Sequence, residues 1–197
     1  SLSRPRVALR RFHWCFRRTE RHTMAMKLLF DAATIAERVA DLGREITSDY
    51  LGKDLVLVPV LKGSYVFAAD LARNIELDVA VDFLGVRSYG NHQQSSGVVQ
   101  ITTDLSYSIE GKHVILVEDI VDTGLTISYL YDNLATRRPA SLRIAALLHK
   151  PARTRVPVAI DYLGFTVDDV FIVGYGLDYA QKFRNLPYLA LVADEDR

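Results

Sequence analysis

Seven consecutive residues, LVLVPVL from Leu55 to Leu61, carry neither charge nor hydroxyl and stop at Lys62-Gly63-Ser64. A run of strand length that is apolar on both alternating sets of side chains must be covered on both faces, as an inner strand of a parallel sheet is. His113–Val117 (HVILV) and Arg143–Leu148 are further short β-type runs, and Val170–Val173 is another. The chain between them has helical periodicity. Thr34 with Glu37 makes a capping-box pattern, and Ile35, Val39, Leu42 and Ile46 then share one face of a helix. Ser64 predicts the cap of a second helix through about Asn74, burying Val66, Phe67, Leu71 and Ile75. A third helix is expected from about Thr126 to Ala135. Leu77–Val86 alternates in part and reads as one strand, and Val98–Thr102 reads as the return arm of a long hairpin. Alternation of β and α units predicts an α/β fold: an open, mostly parallel twisted sheet flanked by helices on both faces.

A chain of 197 residues is about one domain in length. Cys15 is the single cysteine, so internal disulfides and thiolate zinc clusters are excluded. No apolar run approaches the roughly eighteen residues that cross a bilayer, and no membrane partner is expected. The zero net charge is unevenly distributed. Residues 1–23 hold seven arginines against Glu20, leaving 17 basic and 23 acidic residues in the rest of the chain. A body with an acidic excess is a poor nucleic-acid binder, whose electrostatic footprint is basic. Residues 1–25 are expected to be a poorly ordered or non-essential extension, with a targeting segment or a polyanion-binding tail as the alternatives, and residues 26–197 the functional domain.

The chemistry is expected within His113–Leu130, HVILVEDIVDTGLTISYL. In open α/β sheets ligands bind beyond the carboxyl ends of the strands, which is where Glu118 and Asp119 fall. Backbone N–H groups around Thr123, Gly124, Leu125 and Thr126, with both threonine hydroxyls, suit a phosphate at the positive end of the following helix. Three acids, Glu118, Asp119 and Asp122, beside an anion cradle call for a cation such as Mg²⁺ or for sugar hydroxyls. The bland alternative is a helix start decorated with acids for its dipole. Neither a G-x-x-x-x-G-K-[ST] loop nor a G-x-G-x-x-G turn is present, which disfavours kinase and dehydrogenase chemistry. The polar segment Arg87–Gly97, RSYGNHQQSSG, has the length and composition of a lid.

VEDIVDTGLT resembles the phosphoribosyl-pyrophosphate (PRPP) motif of type I phosphoribosyltransferases, in particular their hypoxanthine-guanine branch. Four further segments are similar to that branch in the same order: LKGSY (Leu61–Tyr65), RSYG (Arg87–Gly90), LLHKP (Leu147–Pro151) and FIVGYGLDYAQKFRNLPY (Phe171–Tyr188). The resemblance implies a small hood built from the chain ends, and a lid hairpin in which Ser88 and Tyr89 cover the reacting centre. It implies 5-phosphate and ribose contacts from Glu118, Asp119, Asp122, Thr123, Gly124, Leu125 and Thr126, with Asp122 as the catalytic acid or base. Pyrophosphate would meet Lys62, Gly63 and Arg184, with a strained or non-trans peptide at the Lys62-Gly63 turn. The purine would meet Lys150, Phe171, Ile172 and Asp178. Mg²⁺ would be held by Glu118, Asp119 and Asp178.

By the same resemblance the activity is purine salvage, with hypoxanthine or guanine as acceptor, in a cytoplasmic homodimer or homotetramer. A xanthine-preferring transferase and a nucleotide-sensing regulator are the alternatives. By this resemblance Lys150 selects a 6-oxo purine, because an ammonium facing the 6-amino group of adenine leaves buried donors unpaired, a penalty of roughly a few kcal/mol or more.

Overall fold

The computed structural model describes residues 26–89 and 98–192, so the Arg-rich extension lies outside the described residues. Ten strands and three α-helices are found there: β1 (Met26–Phe30), α1 (Ala32–Asp49), β2 (Leu55–Leu61), α2 (Tyr65–Asn74), β3 (Val79–Val81), β4 (Leu84–Tyr89), β5 (Val98–Thr103), β6 (His113–Val121), α3 (Leu125–Ala135), β7 (Ser141–His149), β8 (Tyr162–Thr166), β9 (Ile172–Val173) and β10 (Leu189–Val192). None of these helices is long and apolar enough to cross a membrane.

The main sheet runs β5-β4-β2-β6-β7-β8, with β3 beside β2. All its pairings are parallel except β4 with β5. As the unbroken apolar runs require, β2 and β6 are covered on both sides. Leu55, Leu57, Ile115 and Val117 pack with α1 and α2, while Val56, Val58, Val114 and Leu116 pack with Ile127, Leu130 and Leu134 of α3. The expected hood is a second, antiparallel sheet, β1-β10-β9, which joins the two ends of the described chain.

Several expected boundaries move. Helix α1 begins two residues before Thr34. Its cap is Asp31, whose carboxylate accepts from Thr34 N at 2.8 Å, since an ionised acceptor beside Ala32 and Ala33 starts the helix earlier. Ser64 sits at the cap position of α2, yet its buried hydroxyl donates to Val60 O at 2.7 Å, tying the turn to β2 instead of capping. The single strand expected over Leu77–Val86 is two. Asp82 interrupts it by accepting from Phe83 N, and its other oxygen takes Ser106 N at 2.6 Å. β3 and β4 consequently pair with successive stretches of the same edge of β2. β8 completes the far side of β7, although Gly164 weakens its strand signal in YLGFT.

Candidate active site

Three turns meet at the carboxyl end of β2, β6 and β7. The first follows β2, where the Leu61–Lys62 peptide is cis. Gly63 lies against the Asp119 carboxylate so closely that a Cβ would overlap Oδ2, and the Gly63 carbonyl fills the space where Gly176 lacks a side chain. Only glycine suits these two positions, because backbone meets side chain or backbone there. Lys62 is exposed.

The second turn ends β6. That strand runs four residues beyond the expected Val117, so Glu118 and Asp119 belong to it, and Glu118 pairs in register with Ala146 of β7. Glu118 is 7% exposed. Burial, reinforced by the charge of Asp119, pushes its carboxyl well above the ordinary range. Asp119 is pushed up to about 6, first by burial. A hydrogen bond from Ile120 N and the Arg184 charge oppose that shift, and the Asp178 charge adds to it. Two neighbouring carboxyls that resist ionisation form a site built at an energetic cost. After Asp122, Thr123 and Gly124 turn the chain into α3, with Gly124 in the left-handed region at φ +80°. Leu125 N donates to Thr123 Oγ1 at 3.4 Å, and the first-turn N–H groups of a helix such as α3 have no carbonyl partner within the helix.

The third turn follows β7. Lys150 is 8% exposed, its N donates to Val121 O at 2.9 Å, and its Nζ stands 3.9 Å from Asp169 Oδ1. Phe171 makes an edge contact with Tyr179 at 5.6 Å between centroids, and Ile172 is buried in β9 opposite Leu191. In the loop between β9 and β10, Tyr175, Ala180, Gln181 and Phe183 all have positive φ, a concentration of strain typical of ligand clamps. Within it Asp178 and Arg184 pair at 2.6 Å. Arg184 also donates to Gly176 O at 2.7 Å, and Asp178 accepts from Gln181 N at 2.7 Å. A cavity of about 550 Å³ lined by Leu61, Lys62, Tyr65, Phe83 and Arg184 opens beside this loop.

The fold thus brings Lys62, Gly63, Glu118, Asp119, Asp122–Thr126, Lys150, Phe171, Ile172, Asp178 and Arg184 to one end of the molecule. Ser88 and Tyr89 close β4, their backbone paired with Val99 and Val98. The rest of the expected lid, residues 90–97, lies outside the described residues. Sequence reasoning missed Arg153, whose Nε is 2.8 Å from Asp122 Oδ1, and Asp169, which Arg153 also reaches. Proximity of Arg153 to Lys150 in sequence was the one available signal.

A phosphoribosyl transferase domain signature matches residues 27–180. The chain belongs to the phosphoribosyltransferase family. Hypoxanthine-guanine phosphoribosyltransferase of Dictyostelium discoideum is 48% identical over 176 residues, covering 87% of this chain and 98% of that one. The bifunctional TilS/HprT protein of Listeria innocua is 44% identical over 174 residues, which make up 88% of this chain and 27% of that longer protein. A crystal structure of a hypoxanthine phosphoribosyltransferase from Staphylococcus aureus superposes with a TM-score of 0.83 at 41% identity, covering 86% of this chain and 92% of that one.

A phosphoribosyltransferase site of this kind implies a divalent cation, and the donors can be tested for it. Among the described residues no three carboxylate, histidine or cysteine groups converge as a ready cage, and Asp178 is engaged with Arg184. Mg²⁺ characteristically takes one or two carboxylates and completes its shell with water and substrate phosphate oxygens. Glu118 and Asp119, both destabilised as anions, fit that role.

Proposed function

We propose that this protein transfers the 5-phosphoribosyl group of PRPP to N9 of hypoxanthine or guanine, releasing pyrophosphate, as a step of purine salvage. The observation that carries it is the left-handed Gly124 turn, which opens α3 beside the buried Glu118, its neighbour Asp119 and the Lys150 segment. The names borne by the Dictyostelium and Staphylococcus proteins support the choice of acceptor.

In this reading Thr123, Gly124, Leu125 and Thr126 hold the 5-phosphate at the start of α3, fixing the sugar so that bond breaking needs little reorientation. Glu118 and Asp119 take the ribose hydroxyls and, with Asp178, the cation. Bound Mg²⁺ would neutralise charge on the leaving pyrophosphate. The Lys62-Gly63 turn receives the pyrophosphate through backbone N–H groups, and Arg184 adds its guanidinium fork after leaving Asp178. Lys150 donates to the 6-oxo oxygen, Phe171 stacks on the ring, and the Ile172 carbonyl accepts from the 2-amino group of guanine. Asp122 meets the purine at N7 and moves a proton there. Ser88 and Tyr89 cover the centre and exclude water. The setting is cytoplasmic, and the assembly is a homodimer or homotetramer of a functional domain spanning residues 26–197.

An absorbance assay with PRPP, Mg²⁺ and each of hypoxanthine, guanine, xanthine and adenine tests the proposal. Turnover of an oxopurine but not of adenine is expected. Turnover of adenine alone would overturn the role of Lys150, and no PRPP-dependent turnover would overturn the activity. In single-turnover kinetics Asp122→Asn should slow the chemical step, and an unchanged step would remove its acid-base role.

A further inference from the structure

The segment bearing Lys150 is clamped onto the turn bearing Asp122. Lys150 N donates to Val121 O at 2.9 Å, and Arg155 N and Val156 N donate to Thr123 O at 2.9 and 3.0 Å. The missing side chain of Gly124 leaves room for the Val156 carbonyl. Between these clamps the 3-10 turn Pro151–Arg153 sends Arg153 back over Asp122. Its Nε lies 2.8 Å from Asp122 Oδ1 and its Nη1 lies 3.3 Å from Asp169 Oδ1.

Asp122 Oδ1 is shut off from solvent. At 2.8 Å it forms an ion pair with Arg153 but lacks the alignment of a hydrogen bond, so the contact is one of charge. The Asp122 side chain is nevertheless 36% exposed, which leaves its accessible surface on the other atoms, Oδ2 among them. A carboxylate rotates readily about its last torsion, and a charge fixed on one oxygen selects which oxygen faces outward.

We infer that Arg153 is the positioning residue for Asp122. It pins Oδ1 and presents Oδ2 to the purine, while Asp169 steadies the guanidinium from the other side. The inference rests on the reading of Asp122 as the group that meets the purine. Arginine suits the task because one planar fork reaches two carboxylates at once, which an ammonium cannot do with the same geometry. Misplacing a reacting group by about 1 Å costs up to about 100-fold in rate.

The test compares Arg153→Met, Arg153→Lys, Asp122→Asn and the Asp122→Asn/Arg153→Met double variant with PRPP and hypoxanthine, using melting temperature to check folding. Arg153 is 42% exposed, so its replacement leaves the core intact. Arg153→Met should lower kcat about 10- to 100-fold with KM for PRPP within about twofold, and Arg153→Lys should recover part of that loss. The double variant should be no slower than Asp122→Asn alone. Arg153→Met within twofold of the wild-type kcat, or a further loss on the Asp122→Asn background, would overturn the role of Arg153 while leaving the activity in place. An inactive wild type would overturn the reading of the site and this assignment with it.

Discussion

The same three strands end in opposite ways. At their amino ends polar groups are matched. Asp49 accepts from the Tyr162 hydroxyl at 2.7 Å and from Arg143 at 2.6 Å, Asp161 accepts from Ile144 N at 2.9 Å, and His113 shares a 2.8 Å hydrogen bond with Ser141. The hydrogen bonds from Tyr162 and then Arg143 hold the Asp49 carboxyl below its ordinary range. The buried Tyr50 hydroxyl is the exception to this matching. At the carboxyl ends Glu118 and Asp119 are driven upward by burial, Gly63 crowds Asp119, and the loop between β9 and β10 bends through left-handed backbone. One end of the sheet stabilises the fold, and the other holds unbalanced charge that a ligand can balance.

The largest break in this contrast should come from Gly63→Ala. Its methyl group would overlap the Asp119 carboxylate, and kcat/KM for PRPP should fall at least about 100-fold, or about 2.7 kcal/mol of transition-state stabilisation, in a steady-state assay. Arg143→Met attacks the other end. It removes hydrogen bonds to partly exposed partners, so calorimetry should show a stability loss of about 1 kcal/mol and a melting temperature lower by about 2–4 °C. Its kcat should stay within about twofold of wild type, because Arg143 lies at the opposite end of β7 from Lys150. A third test sharpens the comparison through pH. Asp119 binds its proton more tightly folded than unfolded, so metal-free protein should lose stability as pH rises from about 4 to about 6. Asp49 works in the other sense. Its contribution is present above the ordinary aspartate pKa and disappears as pH falls below it. Melting curves across pH 3–7 in chelator should show Asp119→Asn flattening the first slope, and an unchanged slope would remove Asp119 as its source.

What could be read from the chain follows from how local each cause is. The apolar runs of β2 and β6 and the spacing of Ile35, Val39, Leu42 and Ile46 express burial along a single element, so they survived intact. Caps and breaks did not, because they depend on which of several polar side chains wins a given backbone group. Asp31 took the cap expected of Thr34, Val60 O took the Ser64 hydroxyl, and Asp82 split a strand by turning toward Ser106. The hood strands β1 and β10 are short and meet only through the folded chain. The turn that ends β6 was legible because its motif is contiguous, from Glu118 to Thr126. Arg153 and Asp169 were not, since their meaning lies in each other's company.

By itself the order of residues settled the layered α/β architecture and the location of the acids and the glycine turn, because hydrophobic periodicity and turn chemistry act over a few neighbouring positions. Tertiary structure alone decided that Gly63 faces Asp119, that Gly176 faces Gly63, and that Arg153 bridges Asp122 and Asp169. Those contacts join separate loops, and the distances that give a charge or a missing methyl group its effect exist only once the sheet has set the loops side by side.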